Sequence, residues 1–220
     1  MFISSDPHAI REHTDQLVAL EDGQIAKLDA HNFQVMQTDG QEVESHLLQL
    51  GEEWGESELG EYPHFMLKEI HEQSQSLQHC ISGRLRHAEG TSVLGGLQVQ
   101  PQDLAQLPHV RLIGCGTALH AAQIGQILIE QWARIPAVSH VASEFNANDP
   151  VINPNALHLA ISQSGETADT LSAVKEIQRK GADVYGVVNV VGSSIARQCG
   201  KGVYIHSGPE QSVASTKAFT

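Results

Sequence analysis

Hydroxyl and amide side chains are concentrated in residues 162–167, whose sequence is SQSGET. Ser162, Ser164 and Thr167 supply O–H donors, and Gly165 lets a ligand approach the backbone closely. A helix that begins directly after this loop would add free backbone N–H groups and the positive end of its dipole. The segment therefore predicts a site that holds a phosphate dianion with neutral donors, without a lysine.

A second loop of the same kind is formed by residues 114–117, of sequence GCGT, in which Thr117 adds another hydroxyl. Ser and Thr are also common helix N-caps, so Ser164 or Thr167 together with Glu166 could serve only to start a helix. Residues 192–194 (GSS) resemble a third phosphate loop, but we interpret them as a turn and a helix cap.

No other ligand-binding motif that we considered is complete in this sequence. Leu119 stands where a dinucleotide fingerprint needs its third glycine, and no G-K-[ST] or H-E-x-x-H is present. The 13 histidines are interpreted as mostly surface residues, and the spacing of the three cysteines argues against disulfides and zinc. We predict no metal and no cofactor, and we interpret Lys217 as a helix-start residue rather than a catalytic amine.

The net charge of −13 is unevenly distributed. Residues 1–100 carry 17 acids against 5 Lys/Arg, whereas residues 101–220 carry 9 against 8. Because nucleic acids and anionic membranes are bound through Lys/Arg contacts to phosphate, neither is expected as a partner. No apolar run approaches the ~18–20 residues that span a bilayer, and no signal peptide is recognisable, so we expect a cytoplasmic protein.

From residue 110 onward, apolar strands alternate with helical patterns. This order predicts an α/β fold with a parallel sheet covered on both faces, and it places the two hydroxyl-rich loops after the first and third strands. The predicted strands cover residues 110–113, 138–142, 156–161, 184–190 and 203–206, and the predicted helices cover 118–133, 168–180 and 193–198.

The preceding sequence predicts different structure. Residues 17–20, 25–28 and 33–36 are expected to form an antiparallel meander at the edge of a larger sheet. The remaining expectations are a linker over 46–61, a helix over 64–77 with more helix after Gly83, a joining segment over 88–108 and a first helical turn at 215–220. Because such a turn would begin a helix that nothing follows, we expect the chain to be truncated at its C-terminal end. We expect the same at its N-terminal end.

Several separate segments, in the same order, resemble the glutamine–fructose-6-phosphate aminotransferases (glucosamine-6-phosphate synthases). The resemblance covers the whole chain. The segments that carry it are 2–6 (FISSD), 62–73 (YPHFMLKEIHEQ), 142–145 (ASEF), 162–170 (SQSGETADT) and 213–218 (VASTKA).

The resemblance implies an internal part of an amidotransferase. Residues 1–61 would be the antiparallel β tail of an N-terminal-nucleophile glutaminase domain with the start of a linker, 62–108 a helical interdomain linker, and 109–220 a truncated first sugar-isomerase (SIS) subdomain. Such enzymes pass ammonia from glutamine to fructose 6-phosphate and release glucosamine 6-phosphate. Their nucleophilic cysteine and isomerase residues match no position here, so the chain is expected to contribute phosphate binding at most and not to turn over substrate by itself.

The resemblance also implies the site residues and the partners. Phosphate contacts are expected from Thr117, Ser162, Gln163, Ser164 and Thr167, and sugar contacts near Val213 and Ser215. Ala118, Ser212 and Ser74 depart from the usual Ser, Gly and Pro of the family. A homodimer through SIS domains is the expected assembly. The alternatives are a non-catalytic SIS sugar-phosphate-binding regulator and an SIS deglycase or isomerase without glutaminase activity.

Overall fold

The structure is a computed structural model that describes residues 1–4, 10, 13–21, 23–49 and 59–220. Residues 5 and 6 of the FISSD segment and residues 50–58 of the predicted linker lie outside the described residues. The chain divides into two units, Met1–Glu58 and Leu59–Thr220. None of the helices in the described ranges is long and apolar enough to cross a membrane.

Short antiparallel strands form the first unit. Strands β2 and β3 make a hairpin whose register runs from Gln24 opposite Gln37 to Leu28 opposite Phe33. The predicted three-stranded meander is wrong, because β1 pairs with β4 instead of β2; a hydrophobic pattern marks strands without specifying their partners. The strands are β1 (Gln16–Leu17), β2 (Gln24–Leu28), β3 (Phe33–Gln37) and β4 (Leu48–Gln49).

The second unit opens with helix α1 (Phe65–Ile81), which extends four residues beyond its predicted end. The His64 ring accepts the Leu67 N–H at 3.2 Å and caps the helix. The prediction of further helix after Gly83 is wrong, since a hairpin of β5 (Leu85–Arg86) and β6 (Thr91–Ser92) follows. Gly83 and Gly90 adopt positive φ angles of 70° and 62°, which favour turns over helix. A short helix, α2 (Pro101–Leu104), precedes the sheet.

The parallel sheet is confirmed, with five strands near their predicted positions. All strand pairs are parallel, in the order β11-β10-β9-β7-β8. The predicted helical turn at residues 215–220 is instead an isolated turn at 217–219. The elements are β7 (Val110–Gly114), α3 (Thr117–Leu128) with a π-helical turn (Ile129–Ala133), β8 (Ala137–Val141), α4 (Ala142–Phe145), β9 (Leu157–Ser162), α5 (Ala168–Arg179), β10 (Val184–Val188), α6 (Ser194–Cys199) and β11 (Gly202–Tyr204).

This strand order reverses between β7 and β9. The chain leaves β7 toward β8 at one edge, whereas it leaves β9 toward β10 in the opposite direction. The loops that follow the two neighbouring strands therefore diverge, and a crevice opens at the carboxyl ends of the strands. Apolar clusters around Ile113, Val174 and Ile177 and around Leu112 and Ala122 make up the core that holds β7, β9 and their helices in place.

A buried cation with two neutral histidines lies within the sheet. Arg111 of β7 stands opposite His158 of β9 and is 8% exposed; its Nη2 donates to the Val151 carbonyl at 3.0 Å. Its Nε and Nη1, with His158 Nδ1 and His140 Nε2, find no hydrogen-bond partner among the described residues. Burial and the charge of Arg111 lower the pKa of His140, and burial lowers the pKa of His158 despite its bond to the Asn153 carbonyl.

We expect the stability of the second unit to fall as the pH drops below about 6.5, the ordinary histidine value. The unfolded chain would take up protons there, while His140 and His158 stay neutral in the fold until a lower pH. Each histidine then contributes a slope of up to about 1.4 kcal/mol per pH unit. Urea unfolding from about pH 7.5 to about pH 5.5 measures it. The slope should shrink in His158→Gln and persist in the exposed control His87→Gln; equal slopes in both variants would contradict the argument.

A candidate anion-binding cavity at the strand reversal

A cavity of about 410 Å³ lies where the loops after β7 and β9 diverge. Its walls combine the start of α3, the loop from β9 to α5, part of α1 and the last residues described, 212–220. The structure thus brings all the predicted site residues together at one cavity. They are Thr117, Ser162, Gln163, Ser164, Thr167, Val213 and Ser215.

The loop from β9 to α5 is shaped by its own hydroxyl groups. The Ser162 Oγ accepts the Gly165 N–H at 3.0 Å and lies 3.0 Å from the Thr167 Oγ1. Whichever of the two hydroxyls donates to the other, one O–H of the pair remains free. The Ser164 Oγ accepts the Glu166 N–H at 3.2 Å, which leaves its own proton available to a ligand. These bonds leave the loop with O–H donors for an anion.

Two helices begin at this cavity. Thr167 occupies the N-cap position of α5, but its side chain makes no capping bond, because its hydroxyl pairs with Ser162. Gly116 is the N-cap of α3 and has no side chain to offer. The alternative that the loop hydroxyls serve only as helix caps is therefore not favoured by the geometry. Backbone N–H groups in the first turns are free to attract negative charge.

The loop from β9 to α5 is hydrogen-bonded to the start of α6, which follows β10. The Gly165 carbonyl accepts the Ile195 N–H at 2.9 Å, and Glu166 Oε1 accepts the Ser194 N–H at 2.8 Å. Ser193 stands at the N-cap of α6, so residues 192–194 are a turn and helix start, as predicted. Gly165 has a φ of 69°, and a Cβ there would lie 2.0 Å from the Ser193 Oγ. Glycine is therefore required for this close packing.

Apart from Val213 and Ser215, the sequence reasoning gave the far wall of the cavity no role. Ser76 of α1 and Ser207, Ser212 and Lys217 all contribute to it. The sequence pointed to this wall only through two segments that carry the family resemblance, 62–73 and 213–218. Because they lie far apart in sequence, their contact was not evident. Among the departures, Ala118 lines the cavity with a methyl group in place of a hydroxyl, Ser212 lines the far wall, and Ser74 is exposed on α1.

Lys217 lies at the cavity but is already paired. Its Nζ lies 2.7 Å from Glu72 Oε2, and Lys68 approaches the same carboxylate at 3.2 Å. Burial tends to raise the pKa of Glu72, but the bonds and charges of the two lysines outweigh it and lower the pKa. In the part of the chain that the structure describes, no group of three or more His, Cys, Asp or Glu residues could hold a metal ion.

Comparisons with known proteins agree with this architecture. Residues 103–220 match the SIS domain family. Two curated relatives are named glutamine–fructose-6-phosphate aminotransferase [isomerizing]. The relative from Chlorobaculum tepidum is 43% identical over 219 residues, and the one from Bacteroides thetaiotaomicron is 44% identical over 220. Each match covers 100% of this chain but 36% of the relative. The resemblance inferred from the sequence is confirmed along the whole chain.

Solved structures give the same result. The C-terminal domain of glucosamine-fructose-6-phosphate aminotransferase from Francisella tularensis aligns with a TM-score of 0.65 and 32% identity, over 74% of this chain and 46% of that one. Glucosamine-6-phosphate deaminase from Thermotoga maritima aligns with a TM-score of 0.56 over 71% of this chain and 44% of that one. At 19% identity, the second likeness concerns the fold alone.

The packing of Gly165 predicts a specific stability defect. Gly165→Ala combines a left-handed backbone with a clash against Ser193, and we expect it to lose roughly 2–5 kcal/mol of unfolding free energy. Gly181→Ala is the matched control, because its φ is 86° but nothing lies within 4 Å of the added Cβ; about 1–2 kcal/mol is expected there. Urea denaturation compares the two. Adding Ser193→Gly should partly rescue Gly165→Ala, and equal losses in the two single variants would refute the packing argument.

Proposed function

We propose that this chain, which belongs to the SIS domain family, binds a sugar phosphate in the cavity where its strand order reverses. The ligand we propose is fructose 6-phosphate, the substrate in the names of the curated relatives. The chain spans about a third of the length of those relatives. Its share of their reaction, in this proposal, is to hold the sugar phosphate while other parts of a larger enzyme supply ammonia and isomerise the sugar.

The distribution of hydrogen-bond donors carries the proposal. Thr117, Gln163, Ser164 and the pair of Ser162 and Thr167 place O–H and N–H donors at one end of the cavity. Two helix N-termini point their N–H groups to the same end, where they favour negative charge. A phosphate dianion has only acceptor oxygens and matches such a surface. An acidic chain can bind it because the donors are local and neutral.

The Ser215 hydroxyl in the far wall of the cavity has the opposite hydrogen-bonding character. The Ser215 Oγ donates its single proton to Glu210 Oε2 at 2.7 Å, so only its lone pairs remain for a ligand. A sugar hydroxyl can donate to such an acceptor, whereas a phosphate dianion cannot. Beside it the Val213 side chain is fully exposed. The two ends together orient a sugar phosphate with its phosphate toward residues 162–167 and its hydroxyl groups toward Ser215.

We place no nucleophile or isomerase residue in this chain. Burial raises the pKa of the Cys199 thiol to about 12, which makes it a neutral core side chain, and Cys80 and Cys115 match no nucleophile position. In the proposed enzyme, residues 1–61 form the end of the glutaminase domain and the start of a linker, and residues 62–108 continue this linker to the SIS subdomain that starts near 109. SIS domains pair into a homodimer in the cytoplasm. No observation favours the regulator or the deglycase alternative over this proposal.

Ser164 gives the most direct test. Ser164→Ala removes one free O–H donor from the phosphate end, and we expect fructose 6-phosphate binding to weaken by roughly 1–3 kcal/mol, the range for a lost bond to a charged group. Calorimetric titration of the full chain with fructose 6-phosphate measures the change. In the larger enzyme, glutamine hydrolysis without sugar should stay almost unaltered.

The matched control is Ser74→Ala, which removes an exposed hydroxyl on α1 away from the cavity. It should bind fructose 6-phosphate like the unmodified chain. If Ser164→Ala and Ser74→Ala bind fructose 6-phosphate equally well, the assignment of residues 162–167 to the site is wrong. If the unmodified chain binds no sugar phosphate, the proposed function is wrong.

A further inference from the structure

A buried carboxylate of α1 contacts the chain more than 140 residues downstream. Glu69 is 0% exposed, and its Oε1 accepts the N–H groups of Gln211 at 2.7 Å and Ser212 at 3.1 Å. Its Oε2 has no hydrogen-bond partner among the described residues. An ionised carboxylate is unfavourable in the interior unless it is compensated by hydrogen bonds. Residues 211 and 212 are therefore strongly held against α1.

Residues 210–218, which we term the sugar-facing segment, contain only bends and an isolated turn. With no helix or strand ladder to shape them, their backbone conformation depends on side chains that collect their N–H groups. Glu210 does so within the segment, since its Oε1 accepts the Thr216 N–H at 2.6 Å and the Ala218 N–H at 3.3 Å. From outside the segment, Glu69 of α1 binds the start of the segment, and Glu72 of the same helix pairs with Lys217 near its end.

Between these two carboxylates the chain presents Val213 and Ser215 to the cavity. Glu69 does not line the cavity, so its influence on a ligand has to pass through the segment. The loop of residues 162–167 does not share this dependence, because its bonds run to itself and to residues 189, 194 and 195. Asn189 links the two ends, because its side chain bonds Ser207 and Gly208, but the bonds of Glu69 run to Gln211 and Ser212 and not to the loop.

We infer that Glu69 is a positioning residue that holds the sugar-facing segment over the cavity and so determines affinity for the sugar part of the ligand. The inference rests on the proposed function for the identity of the ligand. It assigns Glu69 no contact with substrate and no proton transfer. Its consequence is selective: losing Glu69 should reduce recognition of the sugar and leave recognition of the phosphate intact.

The test compares two probes on the full chain, fructose 6-phosphate and inorganic phosphate. Glu69→Ala should weaken fructose 6-phosphate binding by about tenfold or more, as expected when two bonds to a charged acceptor are lost, and leave inorganic phosphate affinity within about twofold. Glu69→Gln keeps an acceptor oxygen for the same N–H groups and should recover most of the loss. Gln75→Ala, at an exposed position of the same helix, is the control and should bind both probes normally.

Amide hydrogen exchange gives a second readout that needs no ligand. Glu69→Ala should lose protection at Gln211 and Ser212, while the amide of Gly165 in the phosphate loop keeps it. Unchanged exchange at Gln211 and Ser212 in Glu69→Ala overturns the inference. An equal loss of affinity for fructose 6-phosphate and for inorganic phosphate also overturns it, because that would mean general unfolding. If the unmodified chain binds neither probe, the proposed function fails, and the exchange pattern alone decides whether Glu69 positions the segment.

Discussion

The reversal of strand order between β7 and β9 is the constraint on which the site depends. Two adjacent parallel strands whose chains continue toward opposite edges cannot share a covering helix, so an opening remains at their carboxyl ends. Helices α3 and α5 begin beside that opening and direct their free N–H groups toward it. The positive potential needed for an anion therefore comes from backbone geometry, and the side chains of the loops refine it.

Hydroxyl groups divide the cavity because each can donate one proton only. Ser164 and one member of the Ser162–Thr167 pair keep a proton for a ligand, whereas Ser215 gives its proton to Glu210. Residues of the same chemical type thus act as donors at one end and as an acceptor at the other. What distinguishes them is the partner that the fold supplies, and in the proposed function that partner would fix the direction of a bound sugar phosphate.

The sheet and the position of the hydroxyl-rich loop at its edge were predictable from the sequence because both are local patterns. Strands such as Val184–Val188 contain no charged residue, and residues 162–167 carry their donors side by side. Three features were not predictable in this way: the pairing of β1 with β4, the short hairpin after Gly83 and the contact of Glu69 with Gln211. Two-residue strands show no periodicity, and a contact across 142 positions leaves no local trace. Such contacts hold much of the far wall, of which only Val213 and Ser215 were predicted.

The carboxylates around the cavity also show how an acidic chain can accommodate an anionic ligand. Glu69 and Glu210 direct oxygens at backbone N–H groups, and Glu72 lies between Lys68 and Lys217. Each negative charge is thereby compensated within the wall on the side away from the hydroxyl-rich loop. These carboxylates engage backbone N–H groups of the far wall, whereas residues 162–167 and the adjoining helix starts keep their donors for the phosphate group of the proposed ligand. The electrostatic separation of the two ends thus follows from the same contacts that close the far wall.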